Sequence, residues 1–310
     1  MVQLGQYPSA QHVIAHISDT HFLGGGRALY GKVDVAKHLT EALAQLERAD
    51  AQPEAIVFTG DLADLGEPDA YTRLRKIVEP VAARLDAQII WVMGNHDERI
   101  QYSQQLFDNE GSDEPQDRVY DIGGLRLIVL DSSVPGFHHG DLTDPQLAWL
   151  SKELEKPATH GTLLALHHPP IPTPLLEAMG MLELHDQDRL ERVIKGTDVR
   201  GILAGHLHYT THSTFAGIPV SVAAATCYTL DLSAGDRILS GVDHGQAFNM
   251  VHVYEDRIVH SVIPVGTTEE VTGFSGENWP VIEGMTPAQR LAAFSSKSSD
   301  FNSAEAASSN

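Results

Sequence analysis

Residues 56–64 read IVFTGDLAD: a strand's length of apolar side chains stops at Gly60 and hands over to Asp61 and Asp64. A short continuous apolar run ending in Gly and polar residues reads as a strand buried on both faces. The same event recurs along the chain. VIAHIS (13–18) gives way to Asp19-Thr20-His21, QIIWVM (88–93) to Gly94-Asn95-His96-Asp97, and LRLIVL (125–130) to Asp131. TLLAL (162–166) runs into His167-His168, and VRGILA (199–204) into Gly205-His206-Leu207-His208. Six strands thus deliver polar groups at one end.

Helix-like stretches lie between several of them, at 34–49, 67–85, 144–156 and 186–195. In the third, Asp144 reads as the cap, Pro145 as the first helical residue, and Leu147, Leu150 and Leu154 as one apolar face. Residues 118–130, with a Gly123-Gly124 turn, and the segments 215–226 and 248–263 read as antiparallel pairs. The expected fold is α/β: two packed mixed sheets flanked by helices. Ligands in such sheets gather beyond the carboxyl ends of strands, where the polar clusters lie. Residues 227–247 read as a long excursion, suited to a dimer contact or a pocket wall. The expected organisation is a catalytic domain over 1–265 and a C-terminal extension over 266–310. The small, polar end SSKSSDFNSAEAASSN (295–310) predicts disorder.

The 310 residues include 21 Lys+Arg against 42 Asp+Glu, a formal net charge of −21. A field of that sign repels polyanions, so no nucleic acid polymer is expected as a partner. The single cysteine, Cys227, excludes an intrachain disulfide and a thiolate zinc site, and reads as a small buried hydrophobe. No basic start followed by an apolar core opens the sequence, and no run approaches the roughly 18 apolar residues of a transmembrane helix. The expected location is cytoplasmic. Histidine stands apart: there are 17, many clustered with Asp, Asn or Gly.

A lone Asp-x-His or His-x-His is weak evidence, because a solvated or core-satisfied pair has the same letters. Here five elements occur in series: Asp19-x-His21, Gly60-Asp61, Gly94-Asn95-His96, His167 and Gly205-His206-x-His208. Imidazoles, carboxylates and one amide, without sulfur, suit Mn, Fe, Zn, Co or Ni rather than Ca or Cu(I). Asp19, His21, Asp61, Asn95, His167, His206 and His208 are too many for one ion. They suffice for two ions that share a carboxylate and leave positions open to water.

The pattern D-x-H, G-D, G-N-H-[DE], H and G-H-x-H, spread over residues 14–208, resembles the calcineurin-like metallophosphoesterase superfamily. More narrowly, HISDTHFLGG (16–25), LYG.VD (29–34), IVFTGDLAD.GEP.AY (56–71), WVMGNHD (91–97), LALHHPPIP (164–172) and ILAGHLHY (202–209) resemble the class III bacterial, mycobacterial-type cyclic nucleotide phosphodiesterases. The resemblance implies a four-layer αββα sandwich and a homodimer. It also implies hydrolysis of 3′,5′-cAMP, cGMP and 2′,3′-cyclic nucleotides to nucleoside monophosphates by a metal-bridging hydroxide.

By that resemblance Asp19, His21, Asp61 and His208 hold one metal, commonly iron. Asp61 bridges to a second, commonly manganese, completed by Asn95, His167 and His206. His96 and Asp61 are the implied catalytic residues, with His96 reaching the phosphate and protonating the leaving oxygen. His21, Asn95, His96 and His208 are the implied substrate contacts. Two divalent ions bring four positive charges and Asp19 and Asp61 remove two, which leaves about two for a hydroxide and a phosphodiester. A broad phosphatase or phosphodiesterase with a non-nucleotide target is the alternative within this chemistry. A metal-holding scaffold without catalysis is the alternative outside it.

Neighbouring residues carry weaker readings. Asp64 and Asp97 either orient ligand imidazoles or cap helix starts. Asp131 reads as a cap or a support behind the ligands, and His168 as structural. His138-His139 sit in a loop suited to overhang the site, with His139 a candidate substrate contact and a solvated pair the plainer reading. Gly24-Gly25-Gly26 lacks the Lys-Ser/Thr of a phosphate loop and reads as a turn. Met179 and Met181 read as packing or as an apolar pocket rim.

Overall fold

The apolar runs become strands because each is too short for a helix and is covered on both faces. The computed structural model describes residues 3–49, 51–266 and 279–299. A first group of strands is β1 (His12–Ile17), β2 (Ala55–Thr59), β3 (Gln88–Val92), β4 (Arg118–Ile122), β5 (Leu125–Leu130) and β6 (Thr162–Leu166). There follow β7 (Val199–Ala204), β8 (Thr211–Phe215), β9 (Ile218–Val222), the short β10 (Thr229–Leu230) and β11 (Gly241–Val242), β12 (Ala247–Val253) and β13 (Ile258–Pro264). The helices are α1 (Val35–Arg48), α2 (Pro68–Leu85), α3 (Arg99–Phe107), α4 (Asp144–Glu153), α5 (Gln187–Ile194), α6 (Trp279–Gly284) and α7 (Pro287–Ser295).

One sheet has the order β13-β12-β1-β2-β3 and the other β4-β5-β6-β7-β9-β8. Both are mixed: β1, β2 and β3 run parallel, as do β5, β6, β7 and β9, with antiparallel strands at the edges. Three buried clusters divide the side chains between layers. Ile17, Phe58 and Trp91 pack with Leu39, Leu43, Tyr71 and Leu74 of α1 and α2. Ile14, Val57, Ile90 and Val251 meet Leu127, Val129 and Leu163 between the sheets. Ile128, Leu130 and Leu164 pack with Leu147, Leu150 and Leu190 of α4 and α5. Alternate residues of each strand therefore serve opposite faces, and the order of layers is αββα.

Three local expectations are corrected. Segments 215–226 and 248–263 do not pair with each other. Both edges of β12 are taken, by β1 and β13, while β9 pairs with β8 and β7 in the other sheet. The β8–β9 hairpin closes through Ala216 (φ 54) and Gly217 (φ 82), the left-handed pair that suits a two-residue hairpin turn. The cap of α4 is Thr143, not Asp144: its hydroxyl accepts from the Gln146 amide while the Gln146 side chain accepts from the Thr143 amide. Helix α3 was not anticipated, and its weakly segregated sequence RIQYSQQLF buries only Tyr102, Ser103 and Leu106.

Residues 10–266 form one compact unit, which holds both sheets. Residues 1–9 and 267–310 form another, whose described part contains α6 and α7. Residues 300–310, where most of the expected disordered end falls, lie outside the described residues. Among the described residues no helix is long and apolar enough to cross a membrane.

Candidate active site

The parallel strands point the same way, so the residues that follow them open on one edge. Asp19 and His21 follow β1, Asp61 follows β2, Asn95 follows β3, His167 follows β6, and His206 and His208 follow β7. All seven side chains converge there. Donor atoms of Asp19, His21, Asp61 and His208 lie within 4.8 Å of one another. Asp61 Oδ2 is 3.4 Å from His21 Nε2 and 3.3 Å from His167 Nε2, so this one oxygen faces both halves of the cluster. Its other oxygen accepts from the His96 amide at 2.8 Å. Asp19 Oδ1 is 3.4 Å from His208 Nε2, and its carboxylate accepts from the His206 amide.

The backbone is bent hard to achieve this. Asp19 (φ 51), His21 (φ 45), Asp61 (φ 49), His206 (φ 72) and His208 (φ 56) all occupy the left-handed region. Such conformations cost of order 1–3 kcal/mol each in non-glycine residues and gather at functional sites. Two glycines give the loops room. A Cβ on Gly94 would lie 2.1 Å from the Asp61 nitrogen, and one on Gly205 1.9 Å from Ser18 Oγ.

Hydrogen bonds at the rear of each ring fix which nitrogen carries the proton. His21 Nδ1 faces the Asp64 carboxylate at 2.9 Å, His167 Nδ1 the Thr59 carbonyl at 2.7 Å, and His208 Nδ1 the Tyr228 carbonyl at 2.9 Å. Acceptors stand there, so each Nδ1 donates, and in the neutral imidazole each Nε2 presents a lone pair to the cluster. His206 is reversed: its Nε2 donates to the Leu182 carbonyl at 3.0 Å, which leaves Nδ1 as the free donor atom. The Asn95 amide nitrogen donates to His138 Nδ1 at 2.9 Å, which turns Oδ1 toward His167.

Lone pairs consequently face each other. His21 Nε2 and His208 Nε2 stand 3.2 Å apart, and His167 Nε2 and Asn95 Oδ1 3.1 Å apart, with every rear proton committed elsewhere. Two acceptors at hydrogen-bond distance repel unless a cation lies between them. The titration behaviour says the same. Burial opposes a charge on His167, yet Asp61 with Asp19 outweighs it and raises the imidazole to about 9. His21 is raised against its own burial by Asp64 and Asp61, whereas burial lowers His208 to about 4. Burial disfavours the Asp61 anion, but His167, His21 and His96 hold it well below the usual carboxylate range. Without metal, protons occupy places that cations suit.

Around this cluster the weaker readings separate. Asp64 orients His21, and its carbonyl accepts from His96 Nδ1 at 2.9 Å. Asp97 touches no imidazole: it accepts from the Leu62, Ala63 and Gly94 amides and the Tyr71 hydroxyl, tying two loops together. His168 shares the His167–His206 neighbourhood, but Ser132 Oγ at 2.8 Å and the His138 carbonyl at 3.1 Å occupy both its nitrogens, and burial lowers it to about 3. Asp131 accepts from Arg99 and Ser133 and is structural. His139 stacks on His185 at 4.2 Å, so the overhanging loop reaches the cluster through His138, not His139. The Gly24 and Gly25 amides are bound by Glu67 and Asp69, Met179 is packed in the core and Met181 is exposed. Cys227 is buried and free.

Residues 12–210 match the family described as calcineurin-like phosphoesterase. The chain is 56% identical over 273 residues to a cAMP/cGMP dual specificity phosphodiesterase of Mycobacterium tuberculosis, covering 88% of this chain and 86% of that one. It is 51% identical over 292 residues to a "probable cyclic nucleotide phosphodiesterase" of Rhodococcus erythropolis, covering 94% of each. Among solved structures, a dimetal phosphatase from Danio rerio superposes with a TM-score of 0.61 at 18% identity, over 83% of this chain and 97% of that one, a likeness of fold. The matched span contains all seven converging side chains, and the chain belongs to the calcineurin-like phosphoesterase family.

Proposed function

We propose that this chain hydrolyses cyclic nucleotides, 3′,5′-cAMP and cGMP together with 2′,3′-cyclic nucleotides, at a pair of metal ions. The observation that carries the metal pair is the double set of facing lone pairs on either side of Asp61 Oδ2. The substrate reading is supported by the relatives named above. Asp19, His21, Asp61 and His208 hold one ion, and Asp61, Asn95, His167 and His206 the other. The mixed nitrogen and oxygen donors suit manganese, iron, zinc, cobalt or nickel, and the family resemblance supports iron in the first place and manganese in the second. When bound, the two cations supply Lewis acidity toward a phosphoryl oxygen and make water acidic enough to attack near neutral pH.

The side chains contribute the rest. Asp64, Thr59, Tyr228 and Leu182 hold the imidazoles in one tautomer, so no reorganisation is needed during turnover. His21, Asn95, His96 and His208 are the proposed substrate contacts: His21 and His208 are buried, and Asn95 and His96 are half-buried and face an arriving phosphodiester first. His96 donates Nδ1–H to the Asp64 carbonyl, so Nε2 is the atom that carries a proton to substrate. Hydrolysis of the 3′,5′ ring breaks the P–O3′ bond, places a water oxygen on phosphorus and needs a proton on O3′. His96 supplies it as a general acid.

We further propose a catalytic domain over 1–265, an extension over 266–310, a homodimer and a cytoplasmic location. The class III-like motifs support the dimer, and the absence of any need for a disulfide supports the compartment. Metal analysis and rates on 3′,5′-cAMP, 2′,3′-cAMP and a phosphomonoester, from one purified sample, test the reading. Two equivalents of metal and preference for the cyclic diesters are expected; clear preference for the monoester would contradict it.

A further inference from the structure

One flank of the His/Asp cluster is aromatic, and nothing in the hydrolytic chemistry uses it. The ring of Tyr228 lies 4.5 Å from that of His208 and 6.4 Å from that of His21, centroid to centroid. Tyr30, in the loop before α1, meets Tyr228 edge to face at 5.6 Å. Tyr30 is nonetheless 65% exposed. The two rings share the wall of a cavity of about 440 Å³ with the apolar Val33, Leu230, Leu239 and Val242 and with the charged Lys32 and Asp243, one of each sign. That volume lies in the range of small-molecule sites, and a mostly apolar lining with a few polar groups is their usual character. Part of the wall is the β10–β11 excursion.

The opposite flank offers a contrast. A cavity of about 360 Å³ begins at Asn95, and its wall includes the acidic Glu98 and Asp113 and no aromatic ring. Its one guanidinium, Arg99, is consumed by Asp131 and the carbonyls of Asp113 and Ser133. Acidic residues line both cavities, but a planar, uncharged heterocycle gains by stacking on aromatic faces, which only the first one offers. Of the two flanks, the tyrosine side fits such a ring.

We propose that the Tyr30–Tyr228 cavity is the nucleobase subsite, which takes a purine ring while the phosphodiester lies at the His/Asp cluster. The proposal rests on the cyclic nucleotide reading above and adds to it the residues that select a nucleotide over a bare phosphodiester. Because Tyr228 lies against His208, the subsite starts where the phosphate site ends. Tyr30 touches none of the seven converging side chains and is the cleaner position to alter.

The test compares kcat/KM for 3′,5′-cAMP with that for the same cyclic phosphate of 1-deoxyribose, which has no base. Wild type, Tyr30→Ala, Tyr30→Phe and the cavity-filling Val242→Trp are each assayed with metal content measured. For Tyr30→Ala the cAMP to base-free ratio falls about fivefold to a hundredfold, the value of one lost stacking partner, and does so through KM. Tyr30→Phe keeps the ratio. Val242→Trp lowers it, and in both weakened variants inhibition by AMP falls relative to inhibition by inorganic phosphate. A wild-type enzyme indifferent to the base, or a ratio unmoved in both Tyr30→Ala and Val242→Trp, overturns the subsite while cyclic nucleotide hydrolysis stands. Failure of wild type on cAMP with the base-free ring still cleaved instead overturns the substrate reading and the subsite with it.

Discussion

His96 sits at the mouth of the cluster with one nitrogen committed and one free. Removing it takes away a proton donor but none of the seven converging side chains. His96→Ala is therefore expected to lower kcat by roughly 10²–10⁴ with both metals retained, measured by steady-state kinetics beside elemental analysis. Metal loss in that variant would assign His96 a different role. Asp61→Ala has the opposite signature, loss or scrambling of both ions, because one carboxylate faces both halves. Asp64→Asn tests the rear support: it keeps the shape but weakens the acceptor behind His21, and metal affinity should fall about 10- to 100-fold. Equal affinity by competition with a chelator would mean that His21 needs no such support.

A pH effect follows from the same atoms. A ligating imidazole must be neutral, and metal-free His167, raised to about 9, is protonated at pH 7. Binding must therefore release that proton, and apparent metal affinity should climb as pH rises toward 9 and level off above it. Calorimetry in buffers of different ionisation enthalpy reads the release directly. Affinity that is flat between pH 7 and 9 would contradict the sign.

At the scale of elements, the strands and the loops that end them were legible because each ligand is a covalent neighbour of its own apolar run. Asp61 follows AIVFT and His206 follows VRGILA with only a glycine between. What supports the ligands was not legible. The acceptors behind His167, His208 and His206 are the carbonyls of Thr59, Tyr228 and Leu182, and a carbonyl has no letter of its own. Tyr30 stood in a quoted motif without a role, and Tyr228 in an excursion read as a dimer contact or a pocket wall. Pairing also escaped, since local pattern marks 215–226 and 248–263 as strands without saying which sheet each joins. The α4 cap was missed by one residue because Thr143 and Asp144 both cap well. Thr143→Ala should destabilise the protein by about 0.5–2 kcal/mol, against a smaller loss for Asp144→Ala, by denaturant titration. The reverse order would restore Asp144 as the cap.

For the whole molecule, a chain of net charge −21 concentrates positive charge at one edge only when the metals are present. The left-handed loops and the crowding of imidazoles and carboxylates around Asp61 are costs that bound cations offset, so the metal-free protein should be the less stable state. Ligand present at a thousand times its dissociation constant stabilises by about 4 kcal/mol, so a chelator should lower the melting temperature by several degrees. An unchanged melting curve after proven metal removal would mean the loops hold their shape unaided.

Everything depends on two cations meeting at Asp61. Anomalous diffraction from a crystal of the metal-loaded protein, collected on either side of the iron and manganese edges, tests this most directly. The expected map has two peaks about 3.5–4 Å apart, with Asp61 touching both, His21 and His208 on one and Asn95, His167 and His206 on the other. One peak, or two that do not share Asp61, would contradict the account.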